Sequence, residues 1–162
     1  MRLTVSPLEP EAFRPFGDVI RTDVAPETRS INAGRTARFH DLAKLTLAAE
    51  GGRPCLSIFR TEPLPLPLRL NMMERHPLSS QAFFPLSGRD WLVVVAPAGD
   101  LDPTAIRAFH ARGNEGVNFH PGTWHHFSLA LGETSDFLVV DRCDGAPDCD
   151  EVTLSDPLEI DP

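Results

Sequence analysis

The sequence has almost no lysine, no long apolar run and no basic stripe. Fourteen of its fifteen basic residues are arginine, so a Schiff-base or lysine general-base mechanism has Lys44 as its single candidate. No stretch approaches the roughly 20 apolar residues of a transmembrane helix, and the N-terminal MRLTVSPLEPEAF lacks the apolar centre of a signal peptide. We therefore expect a cytoplasmic protein that does not bind a membrane. Nucleic-acid partners call for clustered basic residues, so we expect no nucleic-acid partner either.

Acidic residues are concentrated at the C-terminus. Residues 144–162 hold seven of the 23 acids and no Lys or Arg, and without them the net charge of −8 would be −1. This imbalance predicts one domain over residues 1–162 that ends in a solvated acidic segment at about 144–162. The three cysteines are odd in number and lack C-x-x-C spacing, which favours reduced thiols, although Cys143 and Cys149 flank DGAPD and could approach each other.

Sixteen prolines make a helical fold unlikely on physical grounds, because each removes a backbone donor and tends to end a helix. The sequence instead predicts an all-β antiparallel barrel or sandwich with one or two short helices, at 10–16 and within 103–109. An α+β domain with two true helices is the alternative, since 42–49 suits either a helix or a strand and loop. Residues 92–95 are all apolar, so their strand should be covered on both faces. The predicted strands are 18–22, 54–61, the later part of 64–76, 81–86, 91–97, 116–120, 125–131 and 136–142.

Histidine is concentrated in two short windows, MMERHPLSSQAF and GVNFHPGTWHHF, which hold four of the six histidines. Side chains two apart on a strand share a face, so Glu74 and His76 should project together and Arg75 to the other side. If residues 77–80 form a four-residue hairpin loop, His76 and Gln81 face each other as a cross-strand pair.

The second window has the same design. A four-residue turn at 121–124 would set His120 opposite His125, so each hairpin would deliver two nitrogen or oxygen atoms to one side of a sheet. We therefore expect the hairpin ends to converge on one pocket. The residues expected there are Glu74, His76, Gln81 and His125.

These windows resemble the two metal motifs of the cupin superfamily, which are H-x-H-x4-E-x6-G and P-x-G-x-x-H. The first appears here as E-x-H-x4-Q-x6-G ending at Gly88, with Glu74 in place of the first His and Gln81 in place of the Glu. The second appears as P-G-x-x-H, with His120 in place of the first Pro. Gln offers only a neutral amide oxygen and is a poorer metal ligand than a carboxylate.

The closer resemblance is to one cupin family, the bacterial ureidoglycolate lyases of allantoin breakdown, and it extends along nearly the whole chain. Its most specific parts are ERHPL-x-x-Q-A-F and GVN-x-H-x-x-x-WHH. It implies a β-barrel homodimer that splits ureidoglycolate into glyoxylate and urea. It also implies a divalent metal, nickel being the ion named for bacterial members, held here by Glu74, His76, Gln81 and His125. The segments that carry it are FRPFGDVI (13–20), INAGRTARFHDLA (31–43), ERHPLSSQAFFPL (74–86), GVNFHPGTWHH (116–126) and DFLVVDR (136–142).

Cleavage of ureidoglycolate needs a base, an acid and a group that holds the carboxylate. Histidine suits the proton steps because its pKa lies near neutrality, and arginine can bind a carboxylate bidentately. The catalytic candidates are His76, His125, His120 and Glu74. The substrate-binding candidates are Gln81, Arg60, Arg38 and His126.

Several of these residues have a second interpretation. Glu74 and His76 could form a hydrogen-bonded polar pair without a metal, and Gln81 could simply orient His76. His126 should lie on the opposite face of a regular strand, where it suits an interface or packing as well as catalysis. Arg75 alternates away from Glu74 and suits a structural role or a dimer contact.

Two other function classes remain open at this point. The first is a cupin enzyme of another kind, a metal isomerase or a dioxygenase acting on a small acid. Dioxygenases generally use a redox metal with His-rich ligation, which the Glu/His/Gln/His set does not match. The second is a non-catalytic cupin that binds a small molecule, which would need the pocket but no convergent acid and base.

Overall fold

The computed structural model describes residues 2–161, half of them in short strands. The one α-helix, α1, spans Pro10–Phe13, and 3₁₀ turns occupy Thr22–Val24, Ala49–Gly51 and Pro103–Ala105. The expectation of a mainly β protein with little helix is confirmed. The strands are β1 (Arg2–Leu3), β2 (Val5–Pro7), β3 (Gly17–Ile20), β4 (Glu27–Ile31), β5 (Thr36–His40), β6 (Arg53–Thr61), β7 (Leu68–Arg75), β8 (Gln81–Pro85), β9 (Trp91–Ala96), β10 (Arg107–Ala111), β11 (Gly116–Phe119), β12 (Trp124–His125), β13 (Leu129–Ala130), β14 (Ser135–Cys143) and β15 (Asp150–Ile160).

Two sheets form the body of the protein. The larger has eight strands in the order β1-β15-β7-β12-β9-β10-β2, with β13 also paired to β9, and the smaller has the order β3-β11-β8-β14-β6. The strands at the two ends of the larger path, β1 and β2, are separated in the chain by Thr4 alone, so this sheet curls into a nearly closed barrel. The β1–β15 and β2–β10 pairs are parallel and all other described pairs are antiparallel.

Strand β9 separates two apolar cores. Alternate residues Trp91, Val93 and Val95 join the phenylalanine-rich core between the two sheets. Leu92 and Val94 join the second core, inside the curled large sheet. All six residues of β9 are buried, which confirms that the 92–95 stretch is covered on both faces.

The two expected hairpins are absent, and this prediction was wrong. Strand β7 belongs to the larger sheet and β8 to the smaller one, and β11 and β12 are divided in the same way. The loops at 76–80 and 120–123 are therefore corners at which the chain passes from one sheet to the other. The two corners lie side by side, since the Gly122 N–H donates to the His76 carbonyl at 2.8 Å.

The acidic C-terminal segment is a structural strand and not a solvated tail. Strand β15 pairs with β7 along most of its length. Leu154, Leu158 and Ile160 lie in the second core, while the acids between them face outward. The prediction of a solvated tail relied on the acidic composition of the segment and did not consider the spacing of its apolar residues.

Other local expectations need smaller corrections. Residues 42–48 form neither helix nor strand, although Lys44 and Thr46 tie this segment to Asp18 and Ser80. The stretch predicted to be helical at 103–109 is a 3₁₀ turn followed by β10. No helix among residues 2–161 has the length and apolarity needed to cross a membrane.

The structure pairs two of the cysteines, contrary to the expectation of three thiols. Cys55 on β6 is bonded to Cys143 on β14, with their Cα atoms 5.6 Å apart. The pairing follows from the register, because Cys55 lies opposite Asp141 and Cys143 is two residues further along the same face. Cys149 is the free cysteine.

Candidate active site

Glu74, His76 and His125 form a cluster at the end of the inter-sheet core. His125 pairs with Glu74 in the β7–β12 ladder, so both side chains leave the same face of the sheet. His125 Nδ1 lies 3.7 Å from Glu74 Oε1, and the His76 and His125 rings are 5.3 Å apart. One potential ligand atom from each residue lies within 4.8 Å of those of the other two. Period two predicted that Glu74 and His76 project together, whereas His125, expected there through hairpins, is brought to Glu74 by the pairing of β12 with β7.

Burial changes the acid–base properties of the cluster. His125 is 1% exposed and stacks on Phe119, with the ring centroids 4.4 Å apart. Desolvation, helped by the His76 ring, lowers the pKa of His125 from 6.5 to about 3, so its imidazole is neutral at pH 7. Desolvation raises the pKa of Glu74 above its ordinary value, partly offset by His76.

Both rings carry a proton on Nδ1. His76 Nδ1 lies 2.6 Å from the Asp148 carbonyl oxygen, and His125 Nδ1 lies 3.3 Å from that of His126. Because a carbonyl oxygen can only accept, each Nδ1 carries a proton, and the neutral His125 ring therefore has a free lone pair on Nε2. Both Nε2 atoms are buried without a hydrogen-bond partner among residues 2–161.

Gln81 presents a third buried atom of this kind. It opens β8, is 6% exposed, and is paired in register with Phe119 and not with His76. Its Nε2 donates to Asp141 Oδ2 at 3.4 Å, which leaves Oε1 as a buried acceptor without a partner in the described part of the chain. Gln81 and His76 line the same cavity, of about 340 Å³.

The rest of this cavity consists of residues that sequence reasoning did not select. Apart from Ser79 in the corner at 76–80, they come from the end of β14 and from the 144–149 loop, which joins β14 to β15. The loop belongs to the segment expected to be a solvated tail. Only the pairing of β14 with β8 and of β15 with β7 brings it to the site, and such long-range pairing leaves no local sequence signal. The polar residues among them are Ser79, Asp141, Arg142, Asp144, Asp148 and Cys149.

The chain is similar over nearly its whole length to proteins of one family. The sequence model described as Ureidoglycolate lyase matches residues 1–161. The chain belongs to the ureidoglycolate lyase family. A ureidoglycolate lyase of Burkholderia mallei is 54% identical over 96% of this chain and 91% of its own, and one of Pseudomonas paraeruginosa is 48% identical over 99% and 96%. A ureidoglycolate lyase of Pseudomonas syringae pv. tomato is 51% identical over 92% of this chain and 88% of its own.

In this ureidoglycolate lyase family chain, the two arginine candidates lie away from the cluster. Arg60 forms a bidentate pair with Asp136 at 2.8 and 2.9 Å, at the end of the β6–β14 ladder opposite to Asp141. Arg38 lies on β5, in the separate two-stranded sheet whose residues are mostly exposed. Neither arginine therefore lines the pocket of its own chain, and that expectation was wrong. It rested on the chemistry of arginine alone and not on the position of either residue in a strand.

His120 and His126 also lie outside the cluster. His120 Nε2 is 3.2 Å from Asp18 Oδ2, because the corner at 120–123 turns its ring toward β3 and not toward His125. His126 packs on Phe127 with ring centroids 3.9 Å apart. Its burial lowers the pKa of His126 to about 4.

Arg75 projects away from the cluster, as strand alternation predicts. Its guanidinium lies 4.5 Å over the Trp124 ring and donates to Asp150 at 2.8 Å and to the Gly99 carbonyl at 2.7 Å. These contacts join β7, β15 and the loop after β9, which is a structural role.

Proposed function

We infer that this protein is a ureidoglycolate lyase, which cleaves ureidoglycolate to glyoxylate and urea. The observation that carries this inference is the partly buried Glu74–His76–His125 cluster in a chain that matches the family over residues 1–161. On the family resemblance we further propose that the reaction belongs to allantoin breakdown.

The reaction is a redox-neutral elimination. In ureidoglycolate one carbon carries a hydroxyl, a carboxylate and a ureido nitrogen. The hydroxyl O–H and the C–N bond break, the carbonyl of glyoxylate forms, and the urea nitrogen gains a proton. One group that accepts the first proton and returns it to nitrogen therefore serves both halves of the reaction.

Glu74 is the residue that we assign to proton transfer. A carboxylate whose pKa is raised by burial is a better base than an ordinary one and also gives up its proton at a pH closer to neutrality. His76 and the neutral ring of His125 lie beside it, each with a buried Nε2. A neutral, buried imidazole such as that of His125 orients a substrate without competing for its proton.

We propose that a divalent metal, nickel by the family resemblance, is held by His76, His125 and Gln81. The three unpartnered buried atoms of these residues fit this role, and each His donates its Nδ1–H to a carbonyl oxygen, as metal-binding histidines commonly do. Glu74 adds a negative charge at the same cluster. When bound, a divalent ion supplies Lewis acidity, which lowers the pKa of a substrate hydroxyl.

The charge of the cavity supports a bound cation. Asp141, Asp144 and Asp148 line it, whereas ureidoglycolate is itself an anion. Arg142 is the cationic side chain at this cavity among residues 2–161, but it donates to the carbonyl oxygens of Ala49, Glu50 and Ala146. An anionic substrate entering such a wall needs a further positive charge to offset the repulsion.

The test is to supply the purified, nickel-loaded protein with racemic ureidoglycolate and to assay both products. A lyase releases glyoxylate and urea in equal amounts. An isomerase would convert the substrate but release no urea, and a dioxygenase would consume oxygen. A binding protein would leave the substrate unchanged. Removal of the ion by a chelator should abolish turnover, and nickel should restore it.

We also propose that the protein is a homodimer, which the outer face of the smaller sheet supports. Leu56 and Ile58 on β6 are 69% and 63% exposed, and they lie in register with Val140 and Leu138 on β14. The outer side of a sheet that faces water is ordinarily polar. A second copy of the chain would cover this apolar face, whereas Arg75 is engaged within its own chain.

A further inference from the structure

The orientation of His76 depends on one residue of the 144–149 loop. His76 follows the last residue of β7, so the strand ladder does not hold its ring. Its main chain is fixed by the bond from Gly122 to its carbonyl oxygen. The ring itself has one hydrogen bond among the described residues, from Nδ1 to the Asp148 carbonyl oxygen at 2.6 Å.

The side chain of Asp148 fixes the position of that carbonyl group. Its Oδ1 accepts from the Leu78 N–H and its Oδ2 from the Ser79 hydroxyl, each at 2.6 Å. The carboxylate is largely buried, at 9% exposure, and the Arg142 guanidinium lies 4.0 Å away. Hydrogen bonds to a charged acceptor are stronger than neutral ones, so this carboxylate holds the loop firmly.

Asp148 therefore contacts three points of one short segment, namely the His76 ring, the Leu78 amide and the Ser79 hydroxyl. Loss of its carboxylate would free the 144–149 loop from this segment and withdraw the carbonyl from His76. The ring could then rotate, or carry its proton on Nε2, and its lone pair would no longer face the site.

We propose that Asp148 is a positioning residue that keeps His76 in the Nδ1–H tautomer with its Nε2 lone pair directed into the site. This inference rests on the proposed function for its kinetic consequence, but the tautomer is a property of the protein alone. Residues that orient a reacting or ligating histidine in this way commonly contribute about 10- to 100-fold to activity or metal affinity.

The experiment compares Asp148→Ala with Asp148→Asn. The Asn side chain keeps an oxygen that accepts from the Leu78 N–H, and its amide NH2 can donate to the Ser79 hydroxyl oxygen. This variant should therefore preserve the loop contact. Asp102→Ala is the matched control, because Asp102 also accepts from a backbone N–H and a hydroxyl, both of Thr104, far from the site.

The first readout is the ¹⁵N spectrum of the histidine rings, with the His76 signals identified by their loss in His76→Ala. We expect His76 to be the Nδ1–H tautomer in the wild type, in Asp148→Asn and in Asp102→Ala, and to be mixed or shifted in Asp148→Ala. The second readout is turnover of ureidoglycolate. Asp148→Ala should lower kcat about 10- to 100-fold with little change in KM, and Asp148→Asn should restore it to within about threefold.

A folded Asp148→Ala variant with the wild-type His76 tautomer and kcat would overturn the proposal. If that variant does not fold, the wild type still decides, because a His76 ring that carries its proton on Nε2 contradicts the assigned role. A wild type that does not cleave ureidoglycolate refutes the proposed function instead, and the ring spectrum is read independently of that result.

Discussion

Glu74 carries the charge on which the proposed chemistry depends. It lies opposite His125 in the ladder, and burial raises the pKa of its carboxyl group. Glu74→Gln keeps the size of the side chain and removes both the charge and the proton-accepting oxygen. We expect kcat to fall at least about 100-fold, the low end for a lost acid–base group, with the melting temperature little changed. Glu133→Gln, at an exposed ion pair with Arg89, is the control.

Steady-state kinetics with ureidoglycolate measures this effect. A Glu74→Gln enzyme within about threefold of wild-type kcat would remove Glu74 from the proton steps. The assignment would then pass to a group on the wall of the neighbouring cavity, such as Asp141.

Histidine burial also predicts how stability depends on pH. The pKa of His125 falls to about 3 and that of His126 to about 4 in the folded protein, against 6.5 for the unfolded chain. Both are neutral when folded, so their contribution is intact above pH 6.5 and is lost as the pH falls toward 4 and 3, where only the unfolded chain takes up protons. Each such proton contributes a slope of up to about 1.4 kcal/mol per pH unit.

Urea unfolding of chelator-treated protein between pH 4.5 and 7.5 tests this, at about half-unit intervals. His126→Gln should make the slope of the free energy of unfolding shallower by about one proton below pH 6. An unchanged slope in that variant would show that His126 is protonated in the folded protein.

At the scale of the element, β15 is the strand whose role departs most from expectation. Leu158 is 1% exposed and pairs with Leu70 of β7 inside the second core. Leu158→Ala should lower the free energy of unfolding by about 2–5 kcal/mol, the usual cost of such a truncation in a core. Asp156→Ala, at an exposed position of the same strand, should change it by less than about 0.5 kcal/mol. Equal and small effects in both variants would show that this segment is a solvated tail and not a packed strand.

Local pattern predicted most central strands but not how they pair. β6, β8, β9 and β14 have apolar or alternating residues between turns, and that signal is contained in the strand itself. A four-residue turn that closes a hairpin and one that turns a corner between sheets contain the same residue types, so the loops at 76–80 and 120–123 could not be distinguished locally.

The same limit applies to the site. Glu74 and His76 are two apart in the sequence, and period two predicts that they project together, although β7 ends at Arg75. Asp141 and Asp148 reach the cavity only through the pairing of β14 and β15 with other strands, and long-range pairing is decided by the packing of the whole core. The acidic composition of residues 144–162 further pointed away from a role in the site.

At the scale of the whole molecule, the apolar outer face of the smaller sheet predicts a dimer. Light scattering should give roughly twice the chain mass of 17.8 kDa. Ile58→Glu should give the mass of a single chain, because it buries a charge in the proposed interface. Leu66→Glu is the control, since Leu66 is also 63% exposed but lies outside that face. A wild type that scatters as a single chain at micromolar concentration would contradict this assembly.

The most direct test of the central claim is the turnover of ureidoglycolate by His76→Ala and His125→Ala. His110→Ala is the control, because His110 is partly exposed and lies beside Asp90 on another part of the surface. The account predicts that both site variants keep the wild-type circular dichroism spectrum and lose at least about 100-fold in kcat, while His110→Ala retains it. Near-normal kcat in both site variants would show that ureidoglycolate is cleaved elsewhere than at the Glu74–His76–His125 cluster.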